Sequence, residues 1–252
     1  MNPPSSFVTN AIRRGARVHD SLFDRIYPPS VQLVSGRFWT PVDVALTAAG
    51  WLAEFGAARV LDVGSGVGKF CIVASLASDR TVTGIEQRSH LVETARAAAA
   101  RYDAPVECMH GTLESVDATR FDAFYFFNPF GENLYQLDEH LDATVELSEH
   151  RCHQDLATVE RWLDLAPLRT CVVTYHGFGG RIPSTYHLVR SAPMATDELH
   201  LWMKRRSGRA SGFFVELEGV VLSSRQLEAV SDRLATDESR SRMRALLDRP
   251  LS

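Results

Sequence analysis

Arg59-Val60-Leu61-Asp62-Val63-Gly64-Ser65-Gly66-Val67-Gly68-Lys69-Phe70 is an apolar run that breaks into a glycine-rich turn and re-emerges as a helix. Val60, Leu61 and Val63 suit a buried strand, the glycines at 64, 66 and 68 permit a tight turn with backbone close to a ligand, and Lys69 to Leu76 continues helically. Unpaired N–H groups at such a helix start can bind a carboxylate or phosphate. Two details argue against a dinucleotide pyrophosphate. The spacing is G-x-G-x-G rather than G-x-G-x-x-G, and Asp62 puts a negative charge where a pyrophosphate would be repelled. A ligand with an ammonium group fits that carboxylate better.

The next strand supplies a second acid. Thr81-Val82-Thr83-Gly84-Ile85 ends in Glu86, 22 positions after Gly64, where a carboxylate at a strand's carboxyl end can accept hydrogen bonds from both hydroxyls of a ribose. The inferred ligand has a ribose and an amino-acid-like end.

With Asp62 two residues before the G-x-G-x-G turn and Glu86 closing strand two, the sequence resembles the class I S-adenosylmethionine-dependent methyltransferases from roughly Pro41 to Arg205. The resemblance implies an α/β, doubly wound, Rossmann-like fold, a mostly parallel seven-strand sheet with an antiparallel strand pair at its C-terminal end. It implies S-adenosyl-L-methionine as cofactor, its methionine end on Asp62, Gly64, Ser65, Gly66 and Gly68 with Thr40 and Phe70 nearby. Glu86 and Gln87 would take the ribose, and Thr112-Leu113 the adenine. Many relatives carry an acid where this chain has Thr112.

The fourth strand, Phe121 to Phe127, is nearly all apolar, as expected of a central strand, and ends in Asn128-Pro129-Phe130-Gly131-Glu132. In relatives that methylate amino or amide nitrogens, an Asn or Asp, then Pro, then an aromatic at this place holds the target nitrogen. The resemblance thus implies that Asn128, Pro129 and Phe130 bound the acceptor, with Asn128 also near the cofactor. The match is partial: one proline stands here instead of two, with Phe130 a position early. A simple turn at Asn128-Pro129 is the alternative.

Composition sets outer bounds. The chain has 252 residues, 45% hydrophobic, enough for a sizeable core, and its net charge of −4 gives no general attraction for nucleic acid or an anionic membrane. No apolar run is long enough for a bilayer and no secretory signal opens the chain, so a cytoplasmic location and no membrane partner are expected. The four cysteines, 71, 108, 152 and 171, lack paired spacing and read as reduced core residues. The cluster His150-Arg151-Cys152-His153 lacks usual ligand spacing, and no metal site is expected.

Residues 1–40 have no strong period and read either as a loose arm or as a cap over the cofactor, with Phe38 and Trp39 packing in the core or covering a ligand. Thr40 as N-cap and Pro41 at the first helical position predict a helix to about Phe55, stopped by Gly56. Helix and strand then alternate: helix to about Ala77, strand 81–85, helix 89–102, strand 105–109. Residues 132–165 read as polar and helix-forming, the helix over 153–165 crossing back to the sheet. Arg169–Tyr175 predicts strand five, ending at His176, which either takes a proton from a nucleophile or is bonded in a glycine loop. Residues 186–194 and 198–204 predict the antiparallel pair.

Three segments follow: a cap or arm over 1–40, a methyltransferase core over 41–205, and a C-terminal extension over 206–252 with a strand or hairpin near 212–222 and helices near 226–247. Those helices carry narrow apolar stripes suited to docking or to a homodimer contact. The acceptor is a small molecule or protein side chain in preference to nucleic acid. Rival readings are an aminopropyl transferase on the same fold, which would need paired acids after strand four, and a cofactor-binding protein without turnover.

Overall fold

The computed structural model describes residues 4–78, 80–205, 214–217 and 220–223. The chain divides into two compact units, Met1–Ser207 and Gly208–Ser252. In the first, four short helices, α1 (Pro4–Arg13), α2 (Asp20–Phe23), α3 (Pro29–Leu33) and α4 (Ser35–Phe38), precede α5 (Val42–Glu54). There follow β1 (Arg59–Val63), α6 (Lys69–Ala77), β2 (Thr81–Glu86), α7 (Ser89–Tyr102), β3 (Val106–His110), β4 (Ala123–Phe127), α8 (Glu149–Leu165), β5 (Cys171–Tyr175), β6 (Tyr186–Pro193) and β7 (Glu198–Lys204). In the second unit, β8 (Phe214–Leu217) and β9 (Val220–Ser223) form an antiparallel hairpin. The helices expected near 226–247 lie outside the described residues.

The seven strands of the first unit run in the order β3-β2-β1-β4-β5-β7-β6, with β7 antiparallel to β5 and to β6 and the others parallel. This is the expected mostly parallel sheet with an antiparallel pair at its C-terminal end. Strand period divides the core in two: Val60, Ala123, Tyr125 and Val173 point to the face covered by α5 and α6, and Leu61, Val63, Phe124, Phe126 and Val172 to the face covered by α8. Each large side chain so buried contributes about 1.5–3 kcal/mol. In β7, Leu199, Leu201 and Met203 are buried between the more exposed Glu198, His200 and Trp202, as the alternation predicts.

The structure corrects several local expectations. Pro41, not Thr40, is the cap residue of α5, which starts at Val42. The Thr40 hydroxyl pairs with that of Tyr125 at 3.2 Å, and the Val42 N–H is taken by Asp20 Oδ1 at 2.9 Å, a carboxylate from 22 residues earlier. Residues 132–148 form only short 3₁₀ turns, at Gly131–Leu134 and Leu137–Glu139, before Ser148 caps α8. Side-chain acceptors compete there with helical bonds: Glu132 takes the Leu141 N–H and Asp142 the Thr144 N–H. The arm is helical, with Val8 and Ile12 fully buried and Thr9 Oγ1 donating to the Tyr102 carbonyl at 2.9 Å. Among the described residues no helix is long and apolar enough to cross a membrane.

Candidate functional site

Parallel strands bring their carboxyl ends to one edge, and there the turns after β1, β2, β3, β4 and β5 surround a cavity of about 580 Å³. Its wall includes Gly64, Gly66, Glu86, Gln87, Thr112, Leu113, Asn128, Pro129 and Phe130 from the sequence-predicted set. Thr40, Asp62, Ser65, Gly68 and Phe70 stand behind the wall: Phe70 stacks on Tyr125 with centroids 3.7 Å apart, and the Ser65 side chain packs on Gly84. Asp62 is 3% exposed and accepts the Cys71 Sγ–H at 3.2 Å. Burial pushes its carboxyl up to about 7, the Cys71 bond holding it down and the Glu86 charge adding to the rise.

The glycine turn is built by close approach. Gly64 has φ +72°, and a Cβ there would lie 2.8 Å from Pro129 Cβ; Gly66 has φ +54°, and a Cβ would lie 2.5 Å from the Trp39 ring. The N–H groups of Gly64 and Ser65 both donate to the Ile85 carbonyl at 3.0 Å, and that of Gly66 to Glu86 Oε2 at 3.1 Å. The turn therefore offers a ligand a surface bare of side chains rather than a row of donors. Trp39, held by its indole N–H on the Val31 carbonyl, covers the turn from the N-terminal segment.

Both carboxylate oxygens of Glu86 are hydrogen-bonded. Oε1 accepts the Arg88 N–H at 2.8 Å and Oε2 that of Gly66, leaving lone-pair capacity on both oxygens for two further donors. Burial raises its pKa and the bonds from Arg88 and Gly66 oppose that rise. Two hydroxyls of a ribose match this remaining capacity, and the apolar Leu91, Leu113 and Phe130 nearby match a flat base.

Asn128 adopts φ +40°, donates its N–H to the Gly177 carbonyl at 2.9 Å, and rests its carboxamide on Gly131, where a Cβ would meet that group at 2.2 Å. Gly131 is thus the residue that lets Asn128 stay at the wall.

Sequence reasoning missed the residues that enclose this edge. Arg88 is 5% exposed and bonds Glu132 at 2.9 Å and Asp142 at 3.1 Å, fixing the segment after β4 over the β2 end. Lys69, 2% exposed, places Nζ 2.6 Å from Asp20 and 2.7 Å from Asp24, fixing the N-terminal segment beside the turn. Arg37 meets Glu139 at 3.6 Å and lies over the Tyr135 ring, joining the two covers. A buried lysine opening α6 was the only local signal, since the partners are 44 to 102 residues away in sequence.

Residues 60–149 match the family model described as methyltransferase domain. None of the curated proteins matches the sequence. Among solved structures, a putative O-methyltransferase from Klebsiella pneumoniae is 14% identical, with 79% of this chain and 96% of that chain covered and a TM-score of 0.51. An RNA methyltransferase from Salinibacter ruber, in complex with S-adenosyl-L-homocysteine, is 19% identical over 65% of this chain and 89% of its own, with a TM-score of 0.45. The family match spans the glycine turn, Glu86 and the Asn128 turn, and the likeness to the Klebsiella protein extends the fold to the strands beyond it. Residues 60–149 thus form a methyltransferase domain on a Rossmann-like fold, with S-adenosylmethionine the methyl donor that such a domain uses.

Proposed function

We propose that this enzyme transfers the methyl group to a nitrogen of a small molecule or a protein side chain, seated against Asn128, Pro129 and Phe130. The observation that carries the reading is Asn128, held in a left-handed turn at the end of β4 on the same cavity wall as Gly64 and Glu86. Its carboxamide offers an oxygen that accepts from an N–H and an NH₂ that donates.

The sulfonium of S-adenosylmethionine supplies an already activated methyl group. What remains for the protein is to orient and to exclude water. Glu86 would hold the ribose hydroxyls, Gly64 and Gly66 permit close approach, and Thr112, Leu113 and Phe130 bound the base. Trp39 and the segment carrying Tyr135 and Leu141 shield the cavity. Asp62, behind the wall, would act on the ligand's ammonium through its charge rather than by contact.

Calorimetric titration of S-adenosylmethionine, with NAD as control, tests the cofactor: micromolar binding lost in Glu86→Ala is expected. Methyl transfer from labelled cofactor to primary amines and to the matching alcohols tests the acceptor. Preference for amines, reduced at least tenfold in kcat by Asn128→Ala, supports the nitrogen reading; transfer to alcohols alone rejects it.

A further inference from the structure

We propose that His176, oriented by Asp197 and reached through the Thr196 hydroxyl, is the group that receives the acceptor's proton during methyl transfer; this rests on the methyltransferase reading of the cavity.

His176 follows β5 directly and lines the cavity with Thr196, Ala195, Tyr175, Phe127 and Asn128. It takes φ +58°, a left-handed conformation uncommon for any residue with a Cβ. Nδ1 lies 3.1 Å from Asp197 Oδ2, and Nε2 lies 2.9 Å from Thr196 Oγ1. Both partners come from the turn between β6 and β7, which the antiparallel pairing of Tyr175 with Leu199 brings to this edge.

The hydrogen bonds admit one continuous direction. The Thr196 N–H donates to the Tyr175 hydroxyl at 3.2 Å, and that hydroxyl lies 2.7 Å from Thr196 Oγ1. With Nδ1–H donating to Asp197, Nε2 can only accept, so Oγ1 donates to Nε2 and the Tyr175 hydroxyl donates to Oγ1. A carboxylate on Nδ1 fixes the tautomer whose Nε2 is the acceptor. Carboxylate, imidazole and hydroxyl thus stand in series, ending at the cavity.

The proton's course balances. The acceptor N–H bond breaks with its electron pair left on nitrogen; the proton goes to Thr196 Oγ1 as the proton of that hydroxyl passes to Nε2. The resulting imidazolium faces the Asp197 carboxylate. Around the ring stand Asp197 from the β6–β7 turn, Thr196 beside it, the Tyr175 phenol on β5 and the uncharged Phe127 ring on β4, its centroid 5.5 Å away. The Asn128 N–H bond to Gly177, next in sequence to His176, ties this group to the acceptor turn.

The test measures binding, so it does not require the acceptor. Sinefungin carries a protonated amine where the cofactor carries its methyl-bearing sulfur; S-adenosylhomocysteine carries a neutral thioether there. Both are titrated calorimetrically into the full chain at about pH 5.5 and pH 8.5, spanning the interval in which imidazoles change charge. The quantity read is the ratio of their dissociation constants. Asp62 and Glu86 also act on sinefungin's extra ammonium, but they do so equally in the wild type and in His176→Asn, so the difference between the two proteins in the pH dependence of this ratio isolates the charge on His176. In the wild type the ratio should shift toward sinefungin by roughly tenfold from the lower to the higher pH, the size of the effect of like charges ~6 Å apart in a partly aqueous site. His176→Asn, whose side chain tolerates the left-handed backbone, should lose most of that shift while S-adenosylhomocysteine affinity stays within about twofold. A wild-type shift no larger than that of His176→Asn overturns the proposal. Failure of both nucleosides to bind the folded wild type at either pH rejects the cofactor reading itself, and the proposal with it.

Discussion

Asp62 faces the α5 and α6 side of the sheet with Val60, and its carboxyl is held near 7 chiefly by burial. An acid held above its unfolded value binds its proton more firmly in the folded chain. The associated stability is complete below about pH 4 and is lost as pH rises through about 7. Asp62→Asn should therefore flatten the profile: urea unfolding of the ligand-free protein at pH 8 should find the variant more stable by up to about 4 kcal/mol, with little difference near pH 4. Gly66 makes the opposite kind of demand. Alanine there meets φ +54° and the Trp39 ring at once, which should cost about 1–2 kcal/mol in backbone strain before the indole moves. Thermal unfolding should register that loss, and calorimetry should find S-adenosylhomocysteine binding weakened further, because Trp39 is displaced from the turn it covers.

Elements whose limits depend on local chemistry were legible in the sequence: α6 and α7 begin and end where glycine spacing and apolar period place them, and β7 keeps its predicted alternation. Elements whose shape depends on distant partners were not. Nothing near Thr40 says that Asp20 will cap α5, and nothing in residues 132–148 says that Arg88 will draw Glu132 and Asp142 out of a helix. The pairing of His176 with Thr196 and Asp197 was equally hidden, because it depends on the register between β5 and β7. The Arg88 bonds give this scale its prediction. Arg88→Leu leaves two partly buried acids without their cation and should cost about 3 kcal/mol. Hydrogen exchange in that variant should quicken over residues 131–144 while the strands of the sheet keep their protection; equal quickening everywhere would mean that Arg88 supports the whole unit and not this segment.

At the scale of the molecule, the parallel sheet gathers five strand ends on one edge, and two segments far apart in sequence, 36–41 and 130–147, complete the wall. Each is tied down by a buried cation, Lys69 for the first and Arg88 for the second, and Arg37 bridges them. A ligand in the cavity binds the folded chain, in which these parts are assembled, and not the unfolded one, so its binding free energy adds to stability. At a hundred times the dissociation constant that contribution is about 2.7 kcal/mol. For a unit of this size, each kcal/mol raises the unfolding midpoint by about 2–4 °C, so saturating S-adenosylhomocysteine should raise it by about 5–10 °C. The Glu86→Ala variant should lose the shift. Because both covers contribute to the wall, exchange protection gained on binding should appear in residues 36–41 and 130–147 together; protection confined to the glycine turn would mean that the covers stand clear of the bound ligand, and that Trp39 and Tyr135 serve the fold and not the site.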